Sequence, residues 1–294
     1  MGGVLDVLPF DVWSARAAAH EAAVAERTAA RLARRDRGLK HPVEDFLFDY
    51  YGFAPGRLSR WHPGPGVGLA GAAGMPRASW RWYVTVGDVV TLDERAFLAE
   101  RRHTVEFVRD VVSATLSRPP ALGCFGLHEW AMVYGIPADG VRHEAWPLRL
   151  GSAGSDAVTR THAIRCTHFD AYRFFTPSAA PLNALQPTRA TQVDLEQPGF
   201  LHAGMDVYKW CIKLTPWVPS SLTLAAFDLA REIRLLDMQA SPYDLSALGI
   251  APVPIETVAG KATYVARQRE FAERSNALRT RLLALIEPAL ESRE

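Results

Sequence analysis

The stretch TLDERAFLAERRHTVEFVRDVVSATL, residues 91–116, decides the fold class. Phe97, Val105, Val108 and Val112 are separated by eight, three and four residues, so they share one stripe of a helix with a 3.6-residue period. Thr91 and Glu94 have the spacing of a capping box that starts it. The Pro119-Pro120 pair lies beyond its end, where a continuing helix would be broken. Glu100 and His103 have the spacing of di-iron helix ligands. At 100° per residue, however, His103 falls opposite the apolar stripe, and a solvated histidine is expected.

Helical patterning continues on both sides of this segment. Residues 10–37 form an Ala/Arg/Glu-rich run that ends at Gly38, and a second helix is expected over 43–53. Residues 55–76 are dense in Gly and Pro and read as a loop. Alternation around Val86-Gly87-Asp88 suggests a hairpin over 80–92. A short apolar helix is expected over 125–134. Residues 141–168 read as irregular with some strand character, broken at Gly151–Ser155. Further helices are expected at 169–175, 202–214, 221–238 and 262–291. No internal repeat is visible. The expectation is a mainly α protein, a single-domain multi-helix bundle over 1–294 with one or two small β-hairpins. A helix within 1–40 would pack on it, and a long charged helix over 262–291 would lie across its outside.

Composition limits the function classes. The chain has 294 residues, 48% hydrophobic and 22% charged, with a net charge of +1. Non-specific DNA binding draws on surplus Lys and Arg, and no global surplus exists, so duplex DNA is disfavoured as a partner. The three cysteines, Cys124, Cys166 and Cys211, form no CxxC pair, which indicates neither a disulfide framework nor a cysteine-type zinc module. No basic leader and no 18-residue apolar run is present, so a cytoplasmic protein with no membrane partner is expected.

The candidate chemistry lies in His/carboxylate pairs. His128 and Glu129 are the only ionisable residues in the apolar run Cys124–Tyr134, and burying them costs several kcal/mol unless they are paired. They read either as a structural network or as a functional site. His162 and His168 would share one side of a strand, and Asp170 would cap the helix after them. His202, Asp206, Lys209, Trp210 and Lys213 share one helical face. That face is either a solvated polar stripe or one lining a cleft, with Asp206 as base and His202 as ligand or acid. Asp237 and Asp244 bracket an ordinary turn that would also suit a loop closing over a site. Gly66-Val-Gly68-Leu-Ala-Gly71 matches GxGxxG. Pro63 and Pro65 precede it and Pro76 follows, so a plain Gly-rich loop is expected rather than a nucleotide site.

Several longer stretches are family-like. His41–Phe48, Arg60–Gly64, Cys124–Tyr134, Cys166–Pro177, Gln197–Asp206 and Leu236–Asp244 resemble an actinobacterial family whose members commonly carry the label 3-methyladenine DNA glycosylase, over residues 41–275. The resemblance implies a hydrolase of the N-glycosidic type acting on a modified or damaged nucleobase. Asp206 or Glu129 would activate water, His128 or His202 would be the donor, and Trp130, Tyr208 and Trp210, with Lys209, would hold the base. Two alternatives rest on the same residues. One is a metal-dependent helical-bundle enzyme, such as a non-haem iron oxygenase, holding Fe, Mn or Zn with ligands from His128, Glu129, His168, Asp170, His202 and Asp206. The other is a non-catalytic protein that binds a small ligand.

Overall fold

The computed structural model describes residues 5–136 and 146–291. It is mainly helical, with eleven α-helices and one four-stranded sheet among the described residues. No helix among them is long and apolar enough to cross a membrane. The chain forms two compact units. One comprises 1–109, 207–228 and 280–294, and the other 110–206 and 229–279.

The first unit is built on the sheet. Strands β1 (Asp6–Leu8), β2 (Val67–Leu69), β3 (Tyr83–Val86) and β4 (Val89–Leu92) lie in the order β1-β2-β4-β3. The expected hairpin is therefore half of a larger sheet: β3 and β4 pair antiparallel, and β1 pairs parallel with β2. Gly87 sits in the hairpin turn at φ +65°, a conformation that favours glycine. Helix α1 (Phe10–Asp36) buries Trp13, Ala17, His20, Val24 and Thr28, spaced three or four apart as one stripe. Trp13 and Ala17 pack with Trp61, Leu69, Ala72 and Val90, and the Trp13 indole donates to the Ala70 carbonyl at 2.9 Å. The GxGxxG stretch is not the plain loop expected: Val67–Leu69 form β2, paired on both edges, and only a 3-10 turn at Pro76–Ser79 comes after it, with no α-helix there. Two short helices, α2 (Phe46–Tyr51) and α3 (Pro55–Ser59), lie between α1 and the sheet in sequence.

Helix α4 spans Glu94–Leu116 with Phe97, Val105, Val108 and Val112 buried and His103 exposed, as the periodicity requires. Its cap differs from the expected one. The Asp93 carboxylate accepts the Ala96 N–H at 2.9 Å, while Thr91 is held in β4 and donates to the Val67 carbonyl. Aspartate outcompetes the box because pairing of β4 has already committed Thr91 to the sheet.

The second unit is helical. It contains α5 (Leu127–Ala131), α6 (Gly151–Thr161), α7 (Phe169–Tyr172) and α8 (Gln192–Leu195). It also takes residues 201–206 of α9 (Leu201–Lys213), 229–239 of α10 (Ser220–Gln239) and 258–279 of α11 (Val258–Glu291). The expectation for 141–168 fails at its centre: Gly151–Thr161 is a helix. Gly151 at φ +62° turns the chain into it, and Thr159 and Thr161 fold their hydroxyls back onto the Ser155 and Ala157 carbonyls, so these two threonines are satisfied within the helix. Residues 141–145 of that expectation lie outside the described residues.

Three helices approach closely beside the histidines. A Cβ added at Gly204 of α9 would stand 2.8 Å from Ile233 Cδ1 of α10 and 2.9 Å from Ser275 Oγ of α11. Glycine here is what allows α9 to sit against both neighbours. From α11, Arg279 donates to the Ala203 carbonyl at 2.6 Å, and Gln268 donates to the Gly199 carbonyl. These bonds hold the N-terminal turn of α9, the segment that carries His202 and Asp206. Helix α11 thus buries one face of Tyr264, Gln268, Ser275 and Arg279 rather than lying wholly outside.

Candidate functional site

Three histidines stand in a row in the second unit. The His202 ring centroid lies 4.7 Å from that of His128 and 5.5 Å from that of His168. Phe200 packs against all three, stacked on His168 at 5.6 Å. His128 comes from α5 and His202 from α9, and His168 immediately precedes α7. All are buried, His128 and His168 completely.

Each end of the row has its own carboxylates. His128, His202 and Asp237 each offer a ligand atom, all within 4.8 Å of one another, and so do His168, Glu196 and Asp206. In the first triad His128 Nε2 and Asp237 Oδ1 form a buried ion pair 2.9 Å apart. The other Asp237 oxygen accepts from Arg234 Nη1 at 2.6 Å, and the same nitrogen donates to Glu129 Oε1 at 2.7 Å. In the second triad His168 Nδ1 meets Glu196 Oε2 at 2.7 Å, and His168 Nε2 lies 3.8 Å from Asp206 Oδ2.

The electrostatics follow from burial and charge together. Burial alone would lower the pKa of His128, but the Asp237 carboxylate outweighs it and pushes the pKa up to about 10. Asp237 is held below the usual carboxylate range: its burial opposes this, and His128 and Arg234 overcome it. His202 moves the other way, kept neutral first by burial and then by the neighbouring His128. Burial also lowers Arg279, to about 10, against the pull of Glu196 and Asp206. Among the described residues of this unit the buried carboxylates are Glu129, Glu196, Asp206 and Asp237, and the buried guanidiniums are Arg234 and Arg279. Four buried carboxylates face two guanidiniums and the charged His128, so two negative charges are left over only where a cation displaces the His128 proton. Such a surplus is costly unless protons or a cation neutralise it.

The donor set suits a first-row divalent metal. At metal–ligand bonds of about 2.1 Å, two ligand atoms of one ion sit about 3 to 4 Å apart, which matches the 2.9 Å and 3.8 Å separations. Two imidazoles and one carboxylate are the ligand set of non-haem iron sites with open positions. Arg234 supplies the outer support that such a carboxylate needs, fixing the orientation of Asp237 through its second oxygen.

The structure gathers some of the sequence candidates and leaves others apart. His128, His168, His202 and Asp206 converge. Glu129 is beside them, but its described role is as the ion-pair partner of Arg234. Asp170 lies near Arg173 and Arg189, each at 3.6 Å, and belongs to neither triad. Trp130 is fully buried and donates its indole N–H to the Ala240 carbonyl at 2.8 Å, which makes it a core residue. Tyr208, Lys209 and Trp210 belong to the first unit. There Tyr208 packs among Tyr51, Phe53 and Phe227, and the Lys209 ammonium lies 4.1 Å from the Trp210 ring. The solvated-stripe reading of 202–213 fails, since His202, Asp206, Lys209 and Trp210 are all buried. His162 does not join His168; its ring nitrogen donates back to the Val158 carbonyl at the end of α6.

Sequence reasoning missed Glu196, Arg234 and Arg279, and it noted Asp237 only as bracketing a turn, whereas Asp237 is fully buried near the end of α10. The available signal was the Arg234/Asp237 pair, three residues apart on a helix and therefore on one face. No known protein family, curated protein or solved structure matches the chain.

Proposed function

We propose that the protein is a metal-dependent enzyme whose centre is the His128/His202/Asp237 triad, holding a divalent ion of the iron type. One observation carries this reading: three ligand-type atoms from three helices converge within 4.8 Å in a buried site. The 2.9 Å separation of His128 Nε2 and Asp237 Oδ1 is a spacing that two ligands of one ion can have once the ion displaces the His128 proton. A divalent ion that displaces the His128 proton neutralises the two carboxylate charges that Arg234 and Arg279 leave over. When bound, iron(II) in such a set supplies open positions for oxygen and substrate. The chain's own groups hold the ligands in place: Arg234 orients Asp237, Phe200 packs on the imidazoles, and the apolar surroundings exclude bulk water.

The test is metal analysis of untagged protein loaded anaerobically with iron(II). The expected result is stoichiometric metal in the wild type, lost in His202→Ala and in Asp237→Asn but kept in His103→Ala. Metal absent from the wild type, or kept by all variants, would overturn the proposal. N-glycosidic hydrolysis, implied by the family resemblance, is checked in the same preparations. Release of a modified base that persists in chelator and survives Asp237→Asn would replace the metal reading with the glycosylase one.

A further inference from the structure

We infer that Arg57, Arg101 and the Tyr208 hydroxyl bind the phosphoryl group of a small phosphorylated molecule, at a site in the first unit that does not depend on the metal reading. All three residues belong to that unit. The C-terminal turn of α9 brings the two guanidiniums together. Arg57 Nη2 donates to the Ile212 carbonyl at 2.8 Å, and Arg101 Nη2 donates to the Lys213 carbonyl at 2.9 Å. Consecutive carbonyls of one helix are neighbours, so two full positive charges sit side by side. Arg57 feels the crowding: its pKa is lowered first by burial and then by the Arg101 charge. Among the described residues neither guanidinium has a carboxylate partner, whereas Arg27 and Arg34 of the same unit pair with Asp228 and Asp45. The end of α9 supplies only about half a negative charge. About one and a half positive charges therefore lack a counterion, which a phosphoryl group of charge about −1.5 to −2 matches. Each guanidinium spends one of its five N–H donors on a carbonyl and keeps the rest of its fork for phosphate oxygens.

Tyr208 is the independent observation. It is fully buried, and its hydroxyl has no hydrogen-bond partner among the described residues. A buried hydroxyl left unpaired is costly. Its ring is fixed by Tyr51, Phe53 and Phe227, and the Arg57 guanidinium lies over the same Phe53 ring at 5.1 Å. Burial raises the phenol pKa and the Arg57 charge pulls against it, so the hydroxyl keeps its proton and can donate. Arg57 is exposed, Arg101 half-buried and Tyr208 buried, so the anion approaches on the Arg57 side, and this long side chain swings to admit it to the hydroxyl. Two cations and one neutral donor suit a single phosphoryl group, while a duplex needs many phosphate contacts and the chain carries a net charge of only +1.

Inorganic phosphate titrated calorimetrically into the full-length protein, in chelator and at constant ionic strength, tests the site apart from any metal. The expected result is one phosphate per chain. Arg57→Gln and Arg101→Gln should each weaken it by about tenfold or more, and Tyr208→Phe by about threefold or more. Arg81→Gln, which removes a guanidinium already paired with Glu100, should leave it unchanged, and so should Asp237→Asn. In a second measurement, free of variants, phosphate should protect Arg57 of the wild type from phenylglyoxal, read by mass spectrometry. No saturable phosphate binding, equal binding in all variants, or an unprotected Arg57 would overturn the inference. Binding of a duplex oligonucleotide without binding of phosphate would overturn it in favour of a nucleic-acid surface. Failure of this site leaves the metal reading untouched, since the chelator has removed the ion from both arms.

Discussion

Asp237→Asn separates a metal ligand from a structural ion-pair partner, because the substitution keeps shape and removes only charge. Two effects are expected, and they can be measured apart. The direct effect comes from the His128 pair at 2.9 Å and the Arg234 pair at 2.6 Å, and His128 can shed its proton when Asp237 is neutral. Unit charges about 4 Å apart attract by roughly 4 kcal/mol at an effective dielectric of about 20. Arg234 keeps Glu129 at 2.7 Å, so its charge is not stranded, and a loss of about 3 kcal/mol is expected in metal-free protein. The second effect is linkage. An ion at about 100 times its Kd stabilises the wild type by about 2.7 kcal/mol. Loss of one of three ligands should weaken binding by about 100-fold or more, so the variant should gain under ~1 kcal/mol from the same metal. Urea unfolding of both proteins, with chelator and with excess manganese(II), completes the cycle, and the direct effect cancels in the difference of differences. Glu129→Gln is the control, since it touches Arg234 without belonging to the triad, and it should retain the metal-dependent gain. Equal gains in the wild type and Asp237→Asn would refute the placement of the ion at Asp237.

Three other outcomes are expected. Gly204→Ala should cost about 1 to 3 kcal/mol in denaturant unfolding, because the new methyl meets Ile233 and Ser275 at under 3 Å. Trp130→Phe should cost about 1 kcal/mol through its lost bond to Ala240, and it should leave any base or nucleoside affinity unchanged. His62, held neutral by burial and then by Arg77, has its pKa lowered to about 3. The unfolded chain takes up this proton near its ordinary value of 6.5 and the folded one does not. Stability therefore falls as pH drops below about 6.5, by up to about 1.4 kcal/mol per pH unit. His62→Gln should have a shallower slope than the wild type between about pH 6 and about pH 4, and parallel slopes would contradict the assignment.

The helices were legible in the sequence because their signal is local. The stripe of Phe97, Val105, Val108 and Val112 and the run over 10–37 each express one repeating burial pattern, and periodicity reports burial directly. The Gly151–Ser155 stretch misled for the same reason, since small polar residues carry no apolar period and their local hydrogen bonds are invisible in the letters.

The histidines of the site were also legible, but their partners were not. In the sequence His128 stands beside Glu129, His168 beside Asp170 and His202 one turn before Asp206. In the fold His128 meets Asp237, His168 meets Glu196 and Asp206, and His202 joins His128 and Asp237. Adjacent residues on a helix point about 100° apart, so a neighbouring carboxylate is poorly placed to serve the histidine next to it. The sequence by itself determined that buried imidazoles would need carboxylates, because the cost of burying them unpaired is a property of the residues alone. Which carboxylates serve them was decided only when α9, α10 and α11 closed at Gly204, since only that packing brings residues more than a hundred positions apart within reach of one ion.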